Sequence, residues 1–466
     1  MELRRAAHVA IAAPIFLIPS GAQAAALDGA KMGWPWIAPF AGMLLSIAVG
    51  PVFFPRVWHN HYGKIAAVWA LAALVPLAIA FGVDAAIAAF VHIVLADYLS
   101  FIVLLFALYT VAGGLFVSGH LGGRPLGNAG VLAFGTAIAS IVGTTGAAMI
   151  LVRPLIRANA LRKHNAHVIV FFIFLVGNIG GALSPLGDPP LLVGFLRGVA
   201  FLWPAENLWE ETLFVAVPVL AVFLAVDLWL GRHDALEPSA RSGVRFYGLI
   251  NLPLIGGIIG AVVLSSLWRP GVSFEIYGTT LQLQNVVRDA ALVAIALVSV
   301  WLTPAEHRAA NDFTWEPILE VAKLFAAIFV CIVPLLSMLQ AGPAGVFGPL
   351  LAAVAGVNGT PNDEAYFWLT GVLSAFLDNA PTYLIFFQLA GGDAAELMTR
   401  LAPTLSAISM GAVYLGALTY IGNAPNLMVA AIANERGVKM PSFFAYMLWS
   451  CAVLLPVFAA MRLIFG

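Results

Sequence analysis

Four short segments of this sequence combine helix-breaking glycines and prolines with side chains whose oxygen atoms can bind a cation. They lie at 142–146, 181–190, 377–382 and 416–425. Where apolar helices are broken within a membrane, freed backbone carbonyls, hydroxyls and side-chain amides can replace the hydration shell of an ion. The candidate ligands in these segments are Thr144, Thr145, Ser184, Asp188, Asp378, Asn379, Thr382, Thr419 and Asn423.

Asp378 carries the strongest argument for a role in ion binding. It lies between apolar stretches, in the sequence Ala375-Phe-Leu-Asp-Asn-Ala-Pro381. A charge at membrane depth is energetically costly and is usually functional or paired. A carboxylate there can exchange a proton for a cation. The alternative is that Asp378 only caps the half-helix that begins near Pro381.

The other candidates have structural alternatives of their own. Gly187-Asp-Pro-Pro190 is also typical of a turn followed by the start of a helix. The alternative for Asp188 is therefore that it forms this turn and has no role in ion binding. The hydroxyls of Ser184 and Thr419 can bond to the backbone within their helices. If Na⁺ is bound, the expected ligands are Thr144, Thr145, Asp378 and Asn379.

The composition indicates that lipid surrounds most of the chain. Of its 466 residues, 62% are hydrophobic and 10% are charged, whereas soluble domains have roughly 45–50% and 25%. We therefore expect an all-α integral membrane protein with about 10–12 transmembrane segments, including broken helices and re-entrant hairpins. The clear apolar runs are Trp36–Phe53, Ile65–Phe81, Phe101–Val117, Val168–Leu183, Leu213–Leu230, Leu249–Leu267, Ala290–Leu302, Ile318–Met338, Tyr366–Leu377, Pro403–Leu418 and Phe443–Ile464.

The N-terminus has the pattern of a targeting segment. Charged residues at 2–5 precede a short apolar stretch, and Ala22-Gln23-Ala24 fits a small-x-small cleavage site. This predicts a signal peptide at 1–24 and a mature N-terminus outside the cytoplasm, in a plasma (inner) membrane of bacterial type. The alternative is a short, uncleaved first helix.

The chain also matches itself when it is shifted by 235 residues. Gly181–Leu192 then falls on Gly416–Leu427 with six of twelve positions identical, and Val142–Gly146 falls on Leu377–Pro381 without a gap. Two blocks that share one shift indicate an internal repeat in which each half carries two breaker-rich segments.

The charges of corresponding loops indicate that the two repeats are inverted. Residues 153–167 contain four Arg or Lys and no acid, whereas the equivalent 388–402 has a net charge of −1. Because basic loops stay in the cytoplasm, the two loops favour opposite sides of the membrane. We predict inverted repeats at 35–231 and 249–466, joined by a cytoplasmic linker at 232–248.

Several classes of function are disfavoured. The sequence has no GxxxxGK, HExxH or GxSxG motif, so neither ATP-driven transport nor hydrolase chemistry is expected, and the chain is not expected to be an enzyme. A net charge of −1 without a basic domain argues against nucleic acid. The expected partners are the lipid bilayer and small ions or a small anionic substrate, with no cofactor besides transported Na⁺ and H⁺.

The motifs resemble the ion transporter superfamily, on the evidence of Asp378-Asn-Ala-Pro-Thr382 and the paired blocks described above. Asn178-Ile-Gly-Gly-Ala-Leu-Ser-Pro-Leu-Gly-Asp-Pro-Pro190 is most similar to NhaD-type sodium:proton antiporters and the neighbouring citrate transporter family, and it adds Asn178 to the candidate site residues. The resemblance implies hairpin tips at the site, a transport domain that slides against a scaffold, and a homodimer. Sodium-coupled dicarboxylate carriers have Ser-Asn-Thr-type motifs at these tips, whereas this chain has Gly143-Thr-Thr145 and Asp378-Asn-Ala380.

Two transport functions stay open. A Na⁺(Li⁺)/H⁺ antiporter is supported by the intramembrane carboxylates Asp188 and Asp378 and by the shortage of basic residues within the apolar runs. A Na⁺- or H⁺-coupled transporter of citrate-like carboxylates or oxyanions is supported by half-helix N-termini, which can hold anions. Arg153, which closely follows the first hairpin tip, is a candidate countercharge for such an anion. A receptor without flux is disfavoured because the chain has no sizeable soluble domain.

Overall fold

Helices make up most of the chain, because a backbone in lipid must satisfy its own hydrogen bonds. The computed structural model describes residues 27–118, 123–233, 245–354 and 361–466. The predicted signal peptide at 1–24 and most of the predicted linker lie outside these residues.

Eight helices within the described residues are long and apolar enough to cross a bilayer: Trp34–Pro51, Pro55–Phe81, Val83–Ala112, Pro125–Val142, Trp203–Leu230, Leu283–Leu302, Glu316–Gln340 and Phe443–Phe465. Three shorter apolar segments accompany them: Ala166–Gly181, Asn251–Leu267 and Ala402–Leu418. The prediction of an all-α, multi-pass integral membrane protein is confirmed.

The helices of the first half are α1 (Ala38–Phe53), α2 (Pro55–Phe81), α3 (Val83–His92), α4 (Leu99–Ala112), α5 (Pro125–Val142), α6 (Thr144–Ala158), α7 (Ala166–Leu175), α8 (Pro189–Leu196) and α9 (Trp203–Leu230). A π-helical turn at Ile93–Tyr98 joins α3 to α4. Between α7 and α8 the chain forms only a 3-10 turn at Ile179–Gly181 and a loop. The pair α7 and α8 is therefore one broken helix.

The helices of the second half are α10 (Asn251–Leu267), α11 (Leu283–Leu302), α12 (Ala305–Ala310), α13 (Glu316–Gln340), α14 (Gly348–Val354), α15 (Asp363–Leu377), α16 (Asn379–Leu389), α17 (Ala394–Met398), α18 (Ala402–Leu415), α19 (Ala424–Glu435) and α20 (Phe443–Phe465). A 3-10 turn at Gly416–Leu418 and a loop separate α18 from α19. This is the second broken helix.

Two spans differ from the sequence-based expectation. Helix α5 is absent from the predicted apolar runs, because polar residues such as Asn128, Thr136 and Ser140 dilute its hydropathy. The run predicted at Phe101–Val117 is the second part of a longer helix, which begins at Val83 and includes the π-helical turn.

Two short antiparallel strand pairs accompany the helices in the part of the chain that the structure describes. Strand β1 (Phe116–Ser118) pairs with β2 (Arg245–Tyr247), so the linker region forms a strand that the sequence did not suggest. Strands β3 (Ser273–Ile276) and β4 (Thr279–Gln282) form a hairpin in the polar stretch after α10. Its turn residues Tyr277 and Gly278 have φ angles of 51° and 74°, as a two-residue hairpin turn of type I′ requires.

The broken helices lie at the centre of the molecule. In α7 every residue from His167 to Leu175 is buried, and α18 is buried over most of its length. Helices that are apolar and buried all round belong to the interior of a large bundle. By contrast, α2, α11 and α20 expose large apolar side chains such as Ile79, Trp301 and Leu463, which suits contact with lipid.

Candidate functional site

The first hairpin, α5–α6, turns through a single residue with a positive φ angle. Gly143 has φ 81° and the residue 235 positions later, Asp378, has φ 67° between α15 and α16. Glycine adopts this conformation freely, whereas a residue with a side chain is strained there by about 1–3 kcal/mol. Asp378 is held there because its carboxylate accepts a hydrogen bond from the amide of Ala380 (3.2 Å) and caps α16.

Four half-helices begin around one buried carboxylate, that of Asp188. Asp188 is the N-cap residue of α8 and is 1% exposed. The other three N-termini belong to α6, α16 and α19, which begin at Thr144, Asn379 and Ala424. The first hairpin is fixed to the broken helix because the amide of Thr144 donates to the carbonyl of Gly187 (2.8 Å).

Asp188 accepts hydrogen bonds from three neutral side chains. Thr144 Oγ1 (3.2 Å) and Asn423 Nδ2 (2.8 Å) donate to its Oδ1, and Asn379 Nδ2 (2.6 Å) donates to its Oδ2. Within the described part of the chain, no Arg, Lys or His side chain bonds to this carboxylate. The negative charge therefore has hydrogen-bond donors but no ionic partner from the protein.

Two amide oxygens beside Asp188 have no hydrogen-bond partner among the described residues. These are Oδ1 of Asn379 and Oδ1 of Asn423, both of them buried. A buried acceptor without a partner costs about 1–3 kcal/mol. Carboxylate and amide oxygens are the ligands that hard cations prefer, so Asp188 and these two amides have the chemistry of a cation site. The described residues contain no group of three or more His, Cys, Asp or Glu that could hold a metal ion.

Asn178 and Asn426 hold the two broken helices together behind this cluster. Asn178 Nδ2 donates to Oδ1 of Asn426 (2.7 Å) and its own Oδ1 accepts from Asn423 (3.2 Å). Asn426 in turn donates to the carbonyls of Gly416 (2.8 Å) and Thr419 (2.9 Å). Asn426 was not among the site residues predicted from the sequence. Its signal was a polar residue in the second repeat block, where the equivalent residue of the first block is Leu191.

Ser184 and Thr419 make the same contacts in the two halves. Each hydroxyl donates to a carbonyl of the neighbouring hairpin, that of Ser140 or Ala375, and these two carbonyls are again 235 positions apart. Each hydroxyl also accepts from a nearby amide, that of Leu186 (3.1 Å) or Ile421 (3.2 Å). They therefore tie the loops of the broken helices to the hairpins and do not reach Asp188.

The remaining candidates lie beside the cluster. Asp378 is half-buried, makes no hydrogen bond to Asp188, and its carbonyl accepts from Thr382 Oγ1 (2.8 Å). Thr145 is half-buried and its hydroxyl has no hydrogen-bond partner among the residues that the structure describes. Of the four expected Na⁺ ligands, the structure brings Thr144 and Asn379 together on Asp188, whereas Thr145 and Asp378 are outside that group of hydrogen bonds.

Arg153 is not at this cluster. Its Nε donates to Oδ2 of Asp312 (3.1 Å), which also binds Arg436. Along α6, Arg153 is two and a half turns beyond Thr144, which corresponds to about 13 Å at 1.5 Å per residue. The idea that Arg153 is a countercharge for an anion at the hairpin tip therefore has no support from its position.

Comparison with known proteins gives a family for this arrangement. A family model described as "Putative citrate transport" matches residues 29–466. An uncharacterized transporter of Synechocystis sp. is 24% identical over 360 residues, which cover 71% of this chain and 75% of the relative. An uncharacterized transporter of Mycobacterium tuberculosis is 24% identical over 341 residues, or 70% of this chain and 73% of the relative. Because the family model matches nearly the whole length, the chain belongs to this citrate transport family and is a membrane transporter.

Proposed function

We propose that this chain is a secondary transporter that exchanges Na⁺ or Li⁺ for H⁺ at Asp188. The observation that carries the proposal is a buried carboxylate that has three neutral donors, no ionic partner among the described residues, and two unpartnered amide oxygens beside it. The neighbouring Asp378 supplies a second carboxylate at the tip of the second hairpin.

The coupling follows from electrostatics. An isolated charge is strongly disfavoured in a low-dielectric interior, so Asp188 needs either a proton or a bound cation. The four helix N-termini around it stabilise the charge by only about 0.3–1 kcal/mol each. Because the proton and the cation neutralise the same group, each excludes the other, and movement of the site across the membrane exchanges one for the other.

The proposal includes the inverted repeats at 35–231 and 249–466. It is supported by the equivalent hydrogen bonds of Ser184 and Thr419 and by the opposite charges of the corresponding loops. Such repeats let two similar half-structures exchange roles, so that a central site opens to one side of the membrane and then to the other.

Cation-coupled transport of a carboxylate such as citrate is the second candidate function. It is favoured by the family description and by the four helix N-termini at the cluster, since N-terminal amides bind anions. In this case a cation at Asp188 would supply the positive charge that the cluster lacks.

Proton flux in everted membrane vesicles separates these functions. Vesicles from a host without its own antiporters are acidified and then challenged with NaCl, LiCl, KCl or sodium citrate while a pH-sensitive dye is followed. We expect Na⁺ and Li⁺ chloride to restore dye fluorescence with wild-type protein, and Asp188→Asn to abolish the response. Asp393→Asn is the matched control, because Asp393 is an exposed cap of α17 and is separated from Asn379 by the whole length of α16.

A full response from Asp188→Asn would rule out this carboxylate as the exchange site. If chloride salts give no response but sodium citrate does, the protein is a carboxylate transporter and the antiport proposal is wrong.

A further inference from the structure

A separate cavity of about 330 Å³ lies at the opposite end of α8 from Asp188. Its walls come from α3, the π-helical turn, the last turns of α13, the end of α8 and the turn of the β3–β4 hairpin. Its polar lining residues are His92, Asp97, Arg197, Thr279, Ser337 and Gln340. Cavities of roughly 300 Å³ and above are large enough for small-molecule ligands.

Arg197 presents unused hydrogen-bond donors to this cavity. Its Nη2 bonds to Oδ2 of Asp97 (2.8 Å), and within the described chain this is the contact that its guanidinium makes. The guanidinium is a planar fork with five N–H donors, so most of the fork remains available to a ligand. Asp97 fixes the orientation of the fork while its negative charge weakens the binding of any anion.

Thr279 supplies a second unused polar group. It is 1% exposed, and its hydroxyl is buried without a hydrogen-bond partner among the described residues. Thr279 is the first residue of β4, directly after the tight turn at Tyr277 and Gly278, and it lines the cavity. A buried hydroxyl without a partner is energetically unfavourable, so this edge of the cavity has an unmet hydrogen bond in the structure described.

His92 adds a third polar group at the edge of the cavity. His92 is exposed, so its imidazole is accessible to a ligand. A guanidinium and an imidazole on one cavity are donors that bind carboxylates and oxyanions.

We propose that this cavity is a binding site for a small carboxylate, separate from the cation cluster. Arg197 is nine residues after Asp188, so the two sites are about 13 Å apart along α8 at the helical rise. The proposal goes beyond the proposed function, because carboxylate binding here does not depend on what Asp188 exchanges.

Equilibrium binding of radiolabelled citrate to the purified full-length protein tests this site. The measurement uses both wild-type protein and the Asp188→Asn variant, so that loss of the cation cluster is not mistaken for loss of this cavity. We expect saturable binding in both, with unlabelled citrate and succinate as competitors and glycine without effect.

The variants are chosen to separate ligand binding from a structural role of the ion pair. Arg197→Gln should weaken citrate binding at least about tenfold, since it removes a charge-assisted contact. Arg269→Gln is the matched control and should change binding by less than about twofold, because Arg269 is exposed and donates to the nearby backbone carbonyl of Ser266. Asp97→Asn should tighten binding, because it removes the competing negative charge from Arg197.

If the Arg197–Asp97 ion pair only held two helices together, replacing either residue would weaken citrate binding to a similar extent. Equal losses in Arg197→Gln and Asp97→Asn would therefore overturn the proposal, as would absence of saturable binding or competition by glycine in place of citrate. If Arg197→Gln does not fold, His92→Ala provides the test, because His92 is exposed and lines the cavity. It should weaken binding by about three- to tenfold through loss of the imidazole donor, and unchanged binding would contradict the proposal.

Discussion

Asn423 donates a hydrogen bond to Asp188 over 2.8 Å, and these two residues are the same position of the two repeat blocks, 235 residues apart. One half of the chain thus contributes an aspartate and the other contributes its neutral isostere. Two facing carboxylates would repel each other at this depth. The aspartate–asparagine pair instead leaves a single negative charge, with an amide that both donates to it and presents a free oxygen.

Replacing the amides that face Asp188 should weaken cation binding. Asn379→Ala and Asn423→Ala each remove one hydrogen bond to the carboxylate and one free Oδ1. We expect the Na⁺ concentration for half-maximal proton exchange to rise about tenfold in each variant, since such a contact contributes about 1–3 kcal/mol. The titration is performed in everted vesicles at one fixed pH.

The control for these substitutions is Asn207→Ala. Asn207 is exposed on α9 and donates to a carbonyl of its own helix, that of Trp203 (2.8 Å). It should leave the Na⁺ response within about twofold of wild type, as is usual for surface positions. An unchanged Na⁺ response in both Asn379→Ala and Asn423→Ala would show that these amides are structural.

Two substitutions of Asp378 separate its role as a helix cap from a role in ion binding. Asp378→Asn keeps a capping oxygen and a residue type that tolerates positive φ, so we expect a change in the free energy of unfolding below about 1 kcal/mol. Asp378→Ala loses the cap and keeps the strained φ of 67°, and should lose about 1–3 kcal/mol. Thermal unfolding of the purified protein measures both.

Measurements of Na⁺-dependent proton flux then decide whether transport requires the charge of Asp378. If Asp378 is the second carboxylate of the transport site, Asp378→Asn should reduce Na⁺-dependent proton exchange while retaining stability. The loss should be smaller than in Asp188→Asn, because Asp378 is half-buried and makes no hydrogen bond to the cluster. Wild-type exchange in Asp378→Asn would leave Asp378 as a helix cap only.

The sequence predicted the class of the fold and the segments that meet at its centre. The shift of 235 residues pairs Thr144 with Asn379 and Asp188 with Asn423, and all four belong to one group of hydrogen bonds. Composition alone was sufficient for the membrane class because lipid contact requires apolar surfaces on many helices.

The sequence favoured Asp378 as the ion-binding acid, whereas the structure places Asp188 at the centre of the hydrogen-bonded cluster. Both acids lie in breaker-rich motifs between apolar stretches, so the local sequence pattern does not reveal the difference in their burial. Their burial differs because Asp188 begins a half-helix inside the bundle, whereas Asp378 forms a hairpin turn. The cavity at Arg197 was also missed, because Asp97, Arg197 and Thr279 are brought together only by the packing of distant segments.

Asn426 should matter for stability more than its place in the sequence suggests. Asn426→Leu introduces the residue found at the equivalent position of the first block, Leu191. It would leave the buried carbonyls of Gly416 and Thr419 without this donor and Asn178 without its acceptor. We expect a loss of about 2–5 kcal/mol in the free energy of unfolding, from several buried groups at about 1–3 kcal/mol each.

The thermal midpoint of the purified protein measures this loss. Asn165→Leu is the control, because Asn165 is only partly buried and donates one long bond, to the carbonyl of Asn159 (3.3 Å). A midpoint for Asn426→Leu within a degree or two of the control would mean that water or rearrangement satisfies those carbonyls.

Asp312 forms ion pairs with two arginines that differ in burial, so we expect the loss of each ion pair to have a different effect on stability. Asp312 binds both Arg153, whose side chain is 10% exposed, and Arg436, whose side chain is 44% exposed. Asp312→Asn would leave the buried guanidinium of Arg153 without its ionic partner, while Arg436 can turn to solvent. We therefore expect Asp312→Asn to lower the thermal midpoint clearly more than Arg436→Gln, because an unpaired buried charge is costly whereas exposed pairs contribute little.

Arg153→Gln completes this comparison and separates a structural arginine from one that binds anions. It removes the buried charge together with its ion pair, so its thermal midpoint should fall less than that of Asp312→Asn. Its citrate binding should remain at the wild-type level, in contrast to Arg197→Gln, because Arg153 is engaged by Asp312 and lies about 13 Å from Thr144 along α6. Loss of citrate binding in a stably folded Arg153→Gln would return the anion site to the first hairpin.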